Sequence, residues 1–354
     1  MRVLKILSLG IAFIALVVAI AAYVGSHKVT SLAQQPLKLT ESTSLMVEPG
    51  TSFNHLLEQL TKQQLIDEPL LFKLHARQQN LAHKIKAGEY LLEPGLTHDG
   101  LLQLLVQGKV RSYQVTFVEG QRVSDYIARL QSHPQIEKTL EYDDPQQLAK
   151  QLKIEGSAEG WIYPDTYQFT RGTTDLALLK RAHQRMQQVL EQEWASKQPN
   201  LPISSAYEAL ILASIVEKET GAAFERPEIA GVFTRRLNKG MRLQTDPTVI
   251  YGMGDRYKGN ITRADLKRKT PYNTYVIKGL PPTPIANPGR EAINAALNPA
   301  SGKSLYFVAK GDGTHQFSAT LAEHNKAVYK YQRRGRRSDY RSSPPPSSAN
   351  NGNG

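Results

Sequence analysis

The sequence is organised around one stretch, Tyr207-Glu-Ala-Leu-Ile-Leu-Ala-Ser-Ile-Val-Glu-Lys-Glu-Thr-Gly221. Every residue from Ala209 to Val216 is apolar or small. A helix formed there has no polar face, so it is expected to run through the interior of a domain. Gly221 is a suitable residue to end that helix. The stretch therefore predicts a buried central helix that reaches the surface at an acidic end.

Two carboxylates, Glu217 and Glu219, close this helix. Residues two apart on a helix point about 200° apart, so only one of them shares the face of Leu210, Ala213 and Ser214. The spacing gives that place to Glu217. A carboxyl at the edge of an apolar interior has a raised pKa, because burial disfavours the charged form, and this suits a general acid. The alternative is that both glutamates are solvated residues in the last turn of a core helix.

The amino terminus carries an uncharged apolar run from Ile6 to Val24. As a helix it is about long enough to cross a hydrocarbon core of roughly 30 Å. Arg2 and Lys5 precede it, which places residues 1–5 in the cytoplasm and sends the rest across the membrane. A cleaved signal peptide is the alternative, because Ala19-Ile-Ala21 resembles a cleavage site. The run exceeds the usual length of a signal-peptide core, so we predict a retained single-pass anchor.

Composition favours a globular protein with tails. The 354 residues are enough for two domains, and 40% of them are hydrophobic. The absence of cysteine excludes disulfides and thiolate chemistry. A net charge of +12 would suit a protein that binds nucleic acid. A domain that is translocated across the membrane is not exposed to nucleic acid, so this partner is not expected. A disordered basic tail is predicted over residues 332–354, with Arg333, Arg334, Arg336, Arg337 and Arg341 before a Ser/Pro/Asn-rich end.

Residues 44–109 predict a small first module, which a polar linker over residues 25–43 joins to the anchor. Its Val-x-Pro-Gly-x-x-Phe entry and Lys-x-Gly-x-Tyr strand resemble the LysM-like module of bacterial wall proteins. The resemblance implies contact with N-acetylated glycan, and a spacer without saccharide binding is the alternative. In order, the pattern predicts a strand at 45–48, a helix capped by Thr51 or Ser52, a helix at 69–79, a strand at 87–92 and a helix at 97–107.

Residues 110–331 predict a larger domain that mixes strands and helices without regular alternation. The predicted fold class is therefore α+β. The pattern predicts strands at 113–118, 304–309 and 315–317, and helices at 123–131, 176–197, 225–237 and 321–331.

Loops and one extended segment carry the polar and aromatic groups that suit a saccharide. The loop Glu159-Gly-Trp-Ile-Tyr-Pro-Asp-Thr-Tyr167 is stiffened by glycine and proline, and a structural turn with core aromatics is its alternative. Two more stiff loops occur at Tyr272-Asn-Thr-Tyr275 and at 279–289. The segment 241–252 is predicted to be extended and apolar, apart from the crowded polar residues Gln244, Thr245, Asp246, Thr248 and Tyr251.

The motifs of the stiff loops, of the central helix and of the segment 241–252 together resemble the endolytic murein transglycosylase family, also called MltG or YceG-like. The resemblance extends from the anchor to about residue 331, with the motifs in the family's order. It implies an inner-membrane enzyme that faces the periplasm and cuts nascent peptidoglycan within the glycan strand. It also implies that Glu217 is the catalytic residue. The blocks are Glu-Gly-Trp-Ile-Tyr-Pro-Asp-Thr-Tyr, Ala-Ser-Ile-Val-Glu-Lys-Glu, Leu-Gln-Thr-Asp-Pro-Thr-Val-Ile-Tyr-Gly, Tyr-Asn-Thr-Tyr and Gly-Leu-Pro-Pro-x-Pro-Ile-x-Asn-Pro-Gly.

A lytic transglycosylase works with one carboxyl. In the implied reaction Glu217 protonates the oxygen between MurNAc and GlcNAc, then takes the proton of the MurNAc C6 hydroxyl as a 1,6-anhydro ring closes. A hydrolase needs two carboxyls, roughly 5 to 9.5 Å apart. Asp165, Glu219 and Asp246 are the candidates for a second one. A hydrolytic muramidase and a catalytically silent, anchored peptidoglycan-binding scaffold are therefore the alternative functions.

The remaining expectations concern binding. Polar groups of the segment 244–248 need partners, which sugar hydroxyl and acetamido groups supply, so we expect this segment beside Glu217. The alternative is that these side chains form hydrogen bonds only within their own domain. No cofactor or metal is expected, because histidines such as His315 and His324 lack ligand spacing. The resemblance implies glycan strands, the inner membrane and peptidoglycan synthases (penicillin-binding proteins) as partners. The predicted substrate-binding residues are Asp165, Tyr167, Glu219, Gln244, Thr245, Asp246, Thr248, Tyr272 and Asn273.

Overall fold

A computed structural model describes residues 2–140 and 145–335, together with Asp339 and Arg341. The chain divides into two compact units. Unit 1 comprises residues 1–113 and 168–172, and unit 2 comprises residues 114–167 and 173–354. Each unit has its own hydrophobic core. The predicted disordered tail over 332–354 lies outside the described residues, apart from 332–335, Asp339 and Arg341.

The first helix, α1, covers Arg2–Gln34 and is longer than the predicted anchor. Its part Leu9–Gln34 is long and apolar enough to cross a membrane, with a mean hydropathy of 2.4. Residues 25–34 of the predicted linker are helical, because Val29, Leu32 and Ala33 are buried in unit 1. The chain thus has one apolar amino-terminal helix, a feature that membrane anchors and signal sequences share.

Unit 1 contains a two-stranded antiparallel sheet, β1 (Thr43–Val47) with β2 (Gly88–Leu92). Ser52 and Thr97 accept hydrogen bonds from N–H groups three residues ahead and so cap two of the helices. The sequence predicted the first of these caps, at Thr51 or Ser52. The order of strand, helix, helix, strand and helix agrees with the sequence pattern. The helices are α2 (Phe53–Lys62), α3 (Pro69–Gln78) and α4 (His98–Gln107).

Unit 2 is built around α8 (Ala206–Glu219), the predicted central helix. Every residue from Ala209 to Val216 is buried. The helix ends at Glu219, two residues before the predicted stop. Because no face of α8 is polar, other helices surround it, as the sequence predicts. These helices are α7 (Asp175–Ala195), α9 (Arg226–Asn238), α10 (Asp246–Met253) and α12 (Arg290–Leu297).

Two small sheets and several shorter helices complete the fold. β3 (Ser112–Thr116) pairs with β4 (Thr166–Thr170), and β5 (Tyr306–Ala309) pairs with β6 (His315–Ser318). This mixture of helices and separate two-stranded sheets confirms the α+β class. The shorter helices are α5 (Val123–Ser132), α6 (Pro145–Leu152), α11 (Arg263–Lys267), α13 (Leu321–Val328), a π-helix over Tyr329–Arg334, and 3₁₀ helices over Ala223–Glu225 and Gly254–Arg256.

The sequence predicted that the segment 241–252 is extended. In the structure this segment contains most of α10, so the prediction is wrong. Pro247 lies in the first turn of this helix, where its missing N–H leaves no helical bond unmade. Gln244, just before the helix, has a φ of 52° and turns the chain into it. Short apolar runs fit a strand and a buried helix equally well, so the pattern alone did not separate the two.

Candidate active site

The acidic end of α8 brings Glu217 beside the loop that precedes α12. The hydroxyl of Ser214 accepts a hydrogen bond from the N–H of Ile285 at 3.0 Å, which fixes this loop to α8. The Glu217 side chain is only 6% exposed, and its Oε2 accepts a hydrogen bond from the N–H of Gly289 at 3.0 Å. Gly289 is the N-cap residue directly before α12, so the positive end of that helix faces the Glu217 carboxylate.

One buried arginine, Arg226 at the start of α9, contacts three carboxylates. Its Nη2 donates to Oε1 of Glu217 at 3.1 Å and lies 3.6 Å from Oε2 of Glu119. Its Nη1 donates to Oε2 of Glu291 at 2.5 Å. Charge-assisted hydrogen bonds of this kind are stronger than neutral ones. Arg226 and Gly289 therefore hold the Glu217 carboxyl from two sides.

Glu119, in the loop after β3, lies closer to solvent, with 48% of its side chain exposed. Burial raises the pKa of the Glu119 carboxyl, the charge of Glu217 raises it further, and Arg226 opposes both. The Glu119 carboxylate lies against Gly289, where an added side-chain carbon would come within 2.0 Å of its Oε1. The glycine therefore leaves room for one carboxylate beside its Cα and for another at its N–H.

The sequence singled out neither Glu119 nor Arg226. Arg226 lies in an ordinary amphipathic helix, and only the fold brings it to Glu217. One usable signal was the position of Glu119 directly before Gly120, whose φ of 74° marks a turn. Polar residues on such turns contribute to function more often than those on the elements that the turns connect.

Glu159 is another buried carboxyl of unit 2, and it is 1% exposed. It accepts hydrogen bonds from the N–H of Val123 at 3.1 Å, from Nδ2 of Asn287 at 3.3 Å and from the hydroxyl of Tyr251 at 3.3 Å. Burial raises the pKa of Glu159 to about 7, against the effect of these bonds. Glu159, the first residue of the loop 159–167, thus ties this loop to Asn287, which lies two residues before Gly289. These contacts agree with a structural role for Glu159.

Glu219 faces the other side of α8, as the helical period requires. Its carboxylate accepts a hydrogen bond from the hydroxyl of Thr245, and burial raises its pKa to about 7. It opens on a cavity of about 640 Å³. The structure therefore places the segment 244–248 beside Glu219, whereas the sequence placed it beside Glu217. The lining of the cavity includes Arg236, Gln244, Thr245, Asp246, Tyr275, His315 and His324.

Three of the predicted substrate-binding residues that lie outside the cavity are buried and have partners inside unit 2. Tyr167 is 7% exposed, and its hydroxyl donates to the carbonyl of Tyr163. The Thr248 hydroxyl donates to the carbonyl of Thr245. The Asn273 amide donates to three carbonyls at the end of α11. These internal partners agree with a structural role, which is the alternative that the sequence left open for Tyr167 and Thr248.

The other two predicted residues outside the cavity differ in accessibility. Asp165 is exposed, and its Oδ1 accepts the N–H of the next residue at 2.7 Å. Tyr272 is half-buried, and its hydroxyl shares a hydrogen bond with Thr283 at 2.9 Å.

Within the described residues, no group of three or more acidic or histidine side chains is placed to hold a metal ion. His315 instead pairs with Glu225 at 2.7 Å. The ring of His324 stacks on Tyr306, with the two centroids 5.3 Å apart.

The Glu217 arrangement suits reversible transfer of one proton. A carboxyl that has given up its proton becomes an anion, and Arg226 and the N–H of Gly289 are already aimed at it. Donors fixed before the reaction stabilise such a charge without reorganising. The site therefore has two donors in place where negative charge develops when the carboxyl gives up its proton.

Comparison with known proteins places this geometry in context. A model of the YceG-like family matches residues 45–330. An endolytic murein transglycosylase of Bacillus subtilis (strain 168) is 32% identical over 308 residues, which cover 82% of this chain and 85% of that protein.

Two further comparisons agree. An endolytic murein transglycosylase of Streptococcus pneumoniae serotype 2 is 27% identical over 321 residues, or 80% of this chain but only 57% of that longer protein. The crystal structure of a yceG-like protein from Listeria monocytogenes superposes with a TM-score of 0.52 at 29% identity, and it covers 81% of this chain and 99% of the other.

Proposed function

Because this chain belongs to the YceG-like family, we propose that it is a membrane-anchored endolytic transglycosylase of peptidoglycan. It cleaves the β-1,4 bond between MurNAc and GlcNAc within nascent glycan strands, leaves 1,6-anhydro-MurNAc ends and so terminates elongation. The observation that carries the proposal is the position of Glu217 at the end of a buried helix, between Arg226 and the N–H of Gly289. The relatives are endolytic murein transglycosylases, and this supports the substrate class.

In the proposed reaction Glu217 is the single acid and base. Its proton goes to the bridging oxygen as the bond from MurNAc C1 to that oxygen breaks. The Glu217 carboxylate then takes the proton of the C6 hydroxyl as O6 bonds to C1, so the enzyme ends in the form in which it began. Arg226 and Gly289 stabilise the carboxylate formed between these two steps, and this stabilisation lowers the barrier.

We assign the cavity beside Glu219 to substrate binding. Its volume of about 640 Å³ lies within the usual range for ligand sites. Gln244 and Asp246 are exposed there, and Asp246 already accepts a hydrogen bond from Tyr275 at 2.6 Å. Such groups suit sugar hydroxyl and acetamido groups. Exposed Asp165 and half-buried Tyr272 remain candidates for further contacts with the strand.

The product of the reaction tests the proposal. Purified protein incubated with peptidoglycan is expected to release fragments that end in 1,6-anhydro-MurNAc, because O6 rather than water attacks C1. Mass spectrometry of the fragments, after digestion with a muramidase of known specificity, checks this result. Reducing MurNAc ends would show a hydrolase instead, and no new ends would show a binding scaffold.

The hydrolytic alternative keeps one specific observation in its favour. Glu119 and Glu217 both lie near Nη2 of Arg226, at 3.6 and 3.1 Å. A pair of neighbouring carboxyls is what a glycoside hydrolase requires. The two reactions differ only in the nucleophile, so the ends of the fragments decide between them.

We propose that α1 is a retained anchor which holds the catalytic unit on the periplasmic face of the inner membrane. A tag placed before Arg2 is expected to stay on a full-length, membrane-bound protein and to resist protease added from the periplasmic side. Immunoblotting of membrane fractions before and after protease treatment checks this. A mature chain that begins near Tyr23 would show a cleaved signal peptide.

The role of unit 1 and the protein partners follow from the same proposal. We propose that unit 1 is a LysM-like module that contacts N-acetylated glycan; its observed order of strands and helices is compatible with this. A nascent strand is released at the membrane by its synthase, so we propose peptidoglycan synthases (penicillin-binding proteins) of the elongation or division machinery as partners.

A further inference from the structure

We propose that the cavity beside Glu219 binds the acetamido group of one N-acetylated sugar of the glycan strand, and that Nε2 of His315 accepts the N–H of this group. Glu225 is the positioning residue that keeps Nε2 free to accept. The inference deepens the proposed function, on which it rests, because it names the group of the strand that the cavity recognises and the side chain that recognises it.

Glu225 holds His315 by both its main chain and its ring. Oε1 of Glu225 accepts the main-chain N–H of His315 at 2.8 Å, and Oε2 lies 2.7 Å from Nδ1 of the same residue. The His315 side chain is 9% exposed and that of Glu225 is 7% exposed. A carboxylate accepts hydrogen bonds but donates none, so Nδ1 carries the hydrogen. In the neutral ring Nε2 is then an acceptor.

The other nitrogen of the His315 ring is available to a ligand. Within the part of the chain that the structure describes, Nε2 has no hydrogen-bond partner, and the ring bonds only to Glu225. His315 lines the cavity of about 640 Å³. Polar atoms in poorly solvated places normally have partners. An N–H group of a bound ligand would supply the partner that Nε2 lacks.

The same cavity offers the other contacts that an acetamido group requires. Glu219 accepts the hydroxyl of Thr245 at Oε1, and its Oε2 has no partner among the described residues. Burial raises the pKa of Glu219 to about 7, so a protonated carboxyl is present at neutral pH and can donate to a carbonyl. Apolar side chains suit the acetyl methyl group, and the lining includes Leu243, Phe307 and Val308. An acceptor, a donor and an apolar wall match an acetamido group better than a lone hydroxyl.

The place of Glu225 in the chain relates this cavity to the catalytic carboxyl. The next residue is Arg226, whose Nη2 donates to Oε1 of Glu217 at 3.1 Å. Cα atoms of consecutive residues lie about 3.8 Å apart. One peptide bond thus separates the residue that orients His315 from the residue that holds Glu217. A strand whose acetamido group is bound at His315 is therefore bound near Glu217.

The test is the binding of two neutral oligosaccharides by the full-length protein in detergent. Chitotetraose carries an acetamido group on each ring, whereas cellotetraose has the same β-1,4 backbone with a hydroxyl group in that position. The protein carries Glu217→Gln, so that neither oligosaccharide is cleaved. Isothermal titration calorimetry measures both dissociation constants, and ¹⁵N NMR spectra of histidine-labelled protein follow the ring nitrogens. We expect tighter binding of chitotetraose, and a shift of the His315 Nε2 signal with chitotetraose alone.

Two variants separate recognition from packing. In His315→Asn the side-chain amide replaces Nδ1–H and keeps the bond to Glu225, but no atom replaces Nε2. In Glu225→Gln the amide oxygen has to face the main-chain N–H, so the NH₂ group donates to Nδ1 and the ring hydrogen moves to Nε2. The ¹⁵N spectrum shows this move directly. Each variant is expected to weaken binding of chitotetraose by about 3 to 10-fold, the usual effect of one hydrogen bond, and to leave binding of cellotetraose unchanged.

Gln316→Ala is the matched control. Gln316 is the exposed neighbour of His315 on β6 and is not among the residues that line the cavity. Its replacement is expected to change neither dissociation constant. Melting temperatures show whether each variant is folded. If His315→Asn does not fold, Glu225→Gln identifies the His315 signal and supplies the binding data.

Equal binding of the two oligosaccharides overturns the inference. A His315 signal that chitotetraose leaves in place also overturns it, because any preference for acetylated sugar would then come from another part of the protein. Variants that weaken both oligosaccharides alike would show that Glu225 and His315 only support the local structure. The proposed function fails separately, if the protein with Glu217 intact forms no anhydro ends from peptidoglycan. A His315 signal that still responds to chitotetraose would then assign the cavity to a binding scaffold.

Discussion

Glu217→Gln is expected to reduce release of anhydro-muropeptides by about 10² to 10⁴-fold, which is the usual contribution of a positioned acid and base. The amide keeps the size of the side chain, and its single oxygen still accepts a hydrogen bond from either Arg226 or the N–H of Gly289, which contact different oxygens of the Glu217 carboxylate. It has no acidic proton to give to the bridging oxygen. Initial rates on purified peptidoglycan measure the loss, and circular dichroism shows that the fold persists.

Glu219→Gln is the informative companion, because Glu219 has a pKa raised to about 7 and lines the cavity. We expect its KM to rise while kcat changes little, since the cavity is assigned to binding. Glu191→Gln, an exposed acid on α7, should behave like the unmodified protein. If Glu217→Gln kept a near-normal kcat and Glu219→Gln were inactive, the catalytic acid would be Glu219 and not Glu217.

Stability is expected to fall as pH rises from about 4.5 to about 7, because of two buried carboxyls, Glu159 and Glu219. In the folded state the Glu159 carboxyl keeps its proton up to about pH 7, whereas the unfolded chain releases it around 4.5. The folded state thus binds more protons within this window, so the free energy of unfolding decreases with pH and stays lower above it. A difference of this size corresponds to a loss on the order of 3 kcal/mol.

Glu159→Gln is expected to flatten that dependence, because an amide does not ionise. Its oxygen still accepts the N–H of Val123 and the amide of Asn287. Glu219, whose pKa is also raised to about 7, leaves a residual slope. Melting temperatures of both proteins at several pH values measure the effect, with exposed Glu155→Gln as control. Equal slopes for Glu159→Gln and the unmodified protein would contradict the assignment.

Local signals in the sequence predicted much of the fold. Ser52, one of the two predicted caps, ends up at the start of α2 because a hydroxyl at that place meets a main-chain N–H, and this depends only on neighbouring residues. The apolar run 209–216 forced α8 into the interior, since it offers water no face. The prediction for the segment 241–252 was wrong, because its short apolar run fits both a strand and a helix.

The site was less accessible to such reasoning. The sequence predicted the carboxylates of α8 and, from the helical period, their opposite directions. It did not predict that Tyr167 and Asn273 would be buried with internal partners. A polar or aromatic residue in a stiff loop looks the same from the sequence, whether it faces a ligand or the interior.

The sequence by itself determined the apolar amino-terminal helix, the central helix and the pair of glutamates at its end, because each depends on residues close together in the chain. The tertiary structure alone decided which groups surround those glutamates. Arg226, Glu119 and Gly289 meet Glu217 from three separate elements, and the segment 244–248 meets Glu219 on the opposite face. Such meetings depend on how elements pack, and no periodicity within one element encodes the identity of its neighbours.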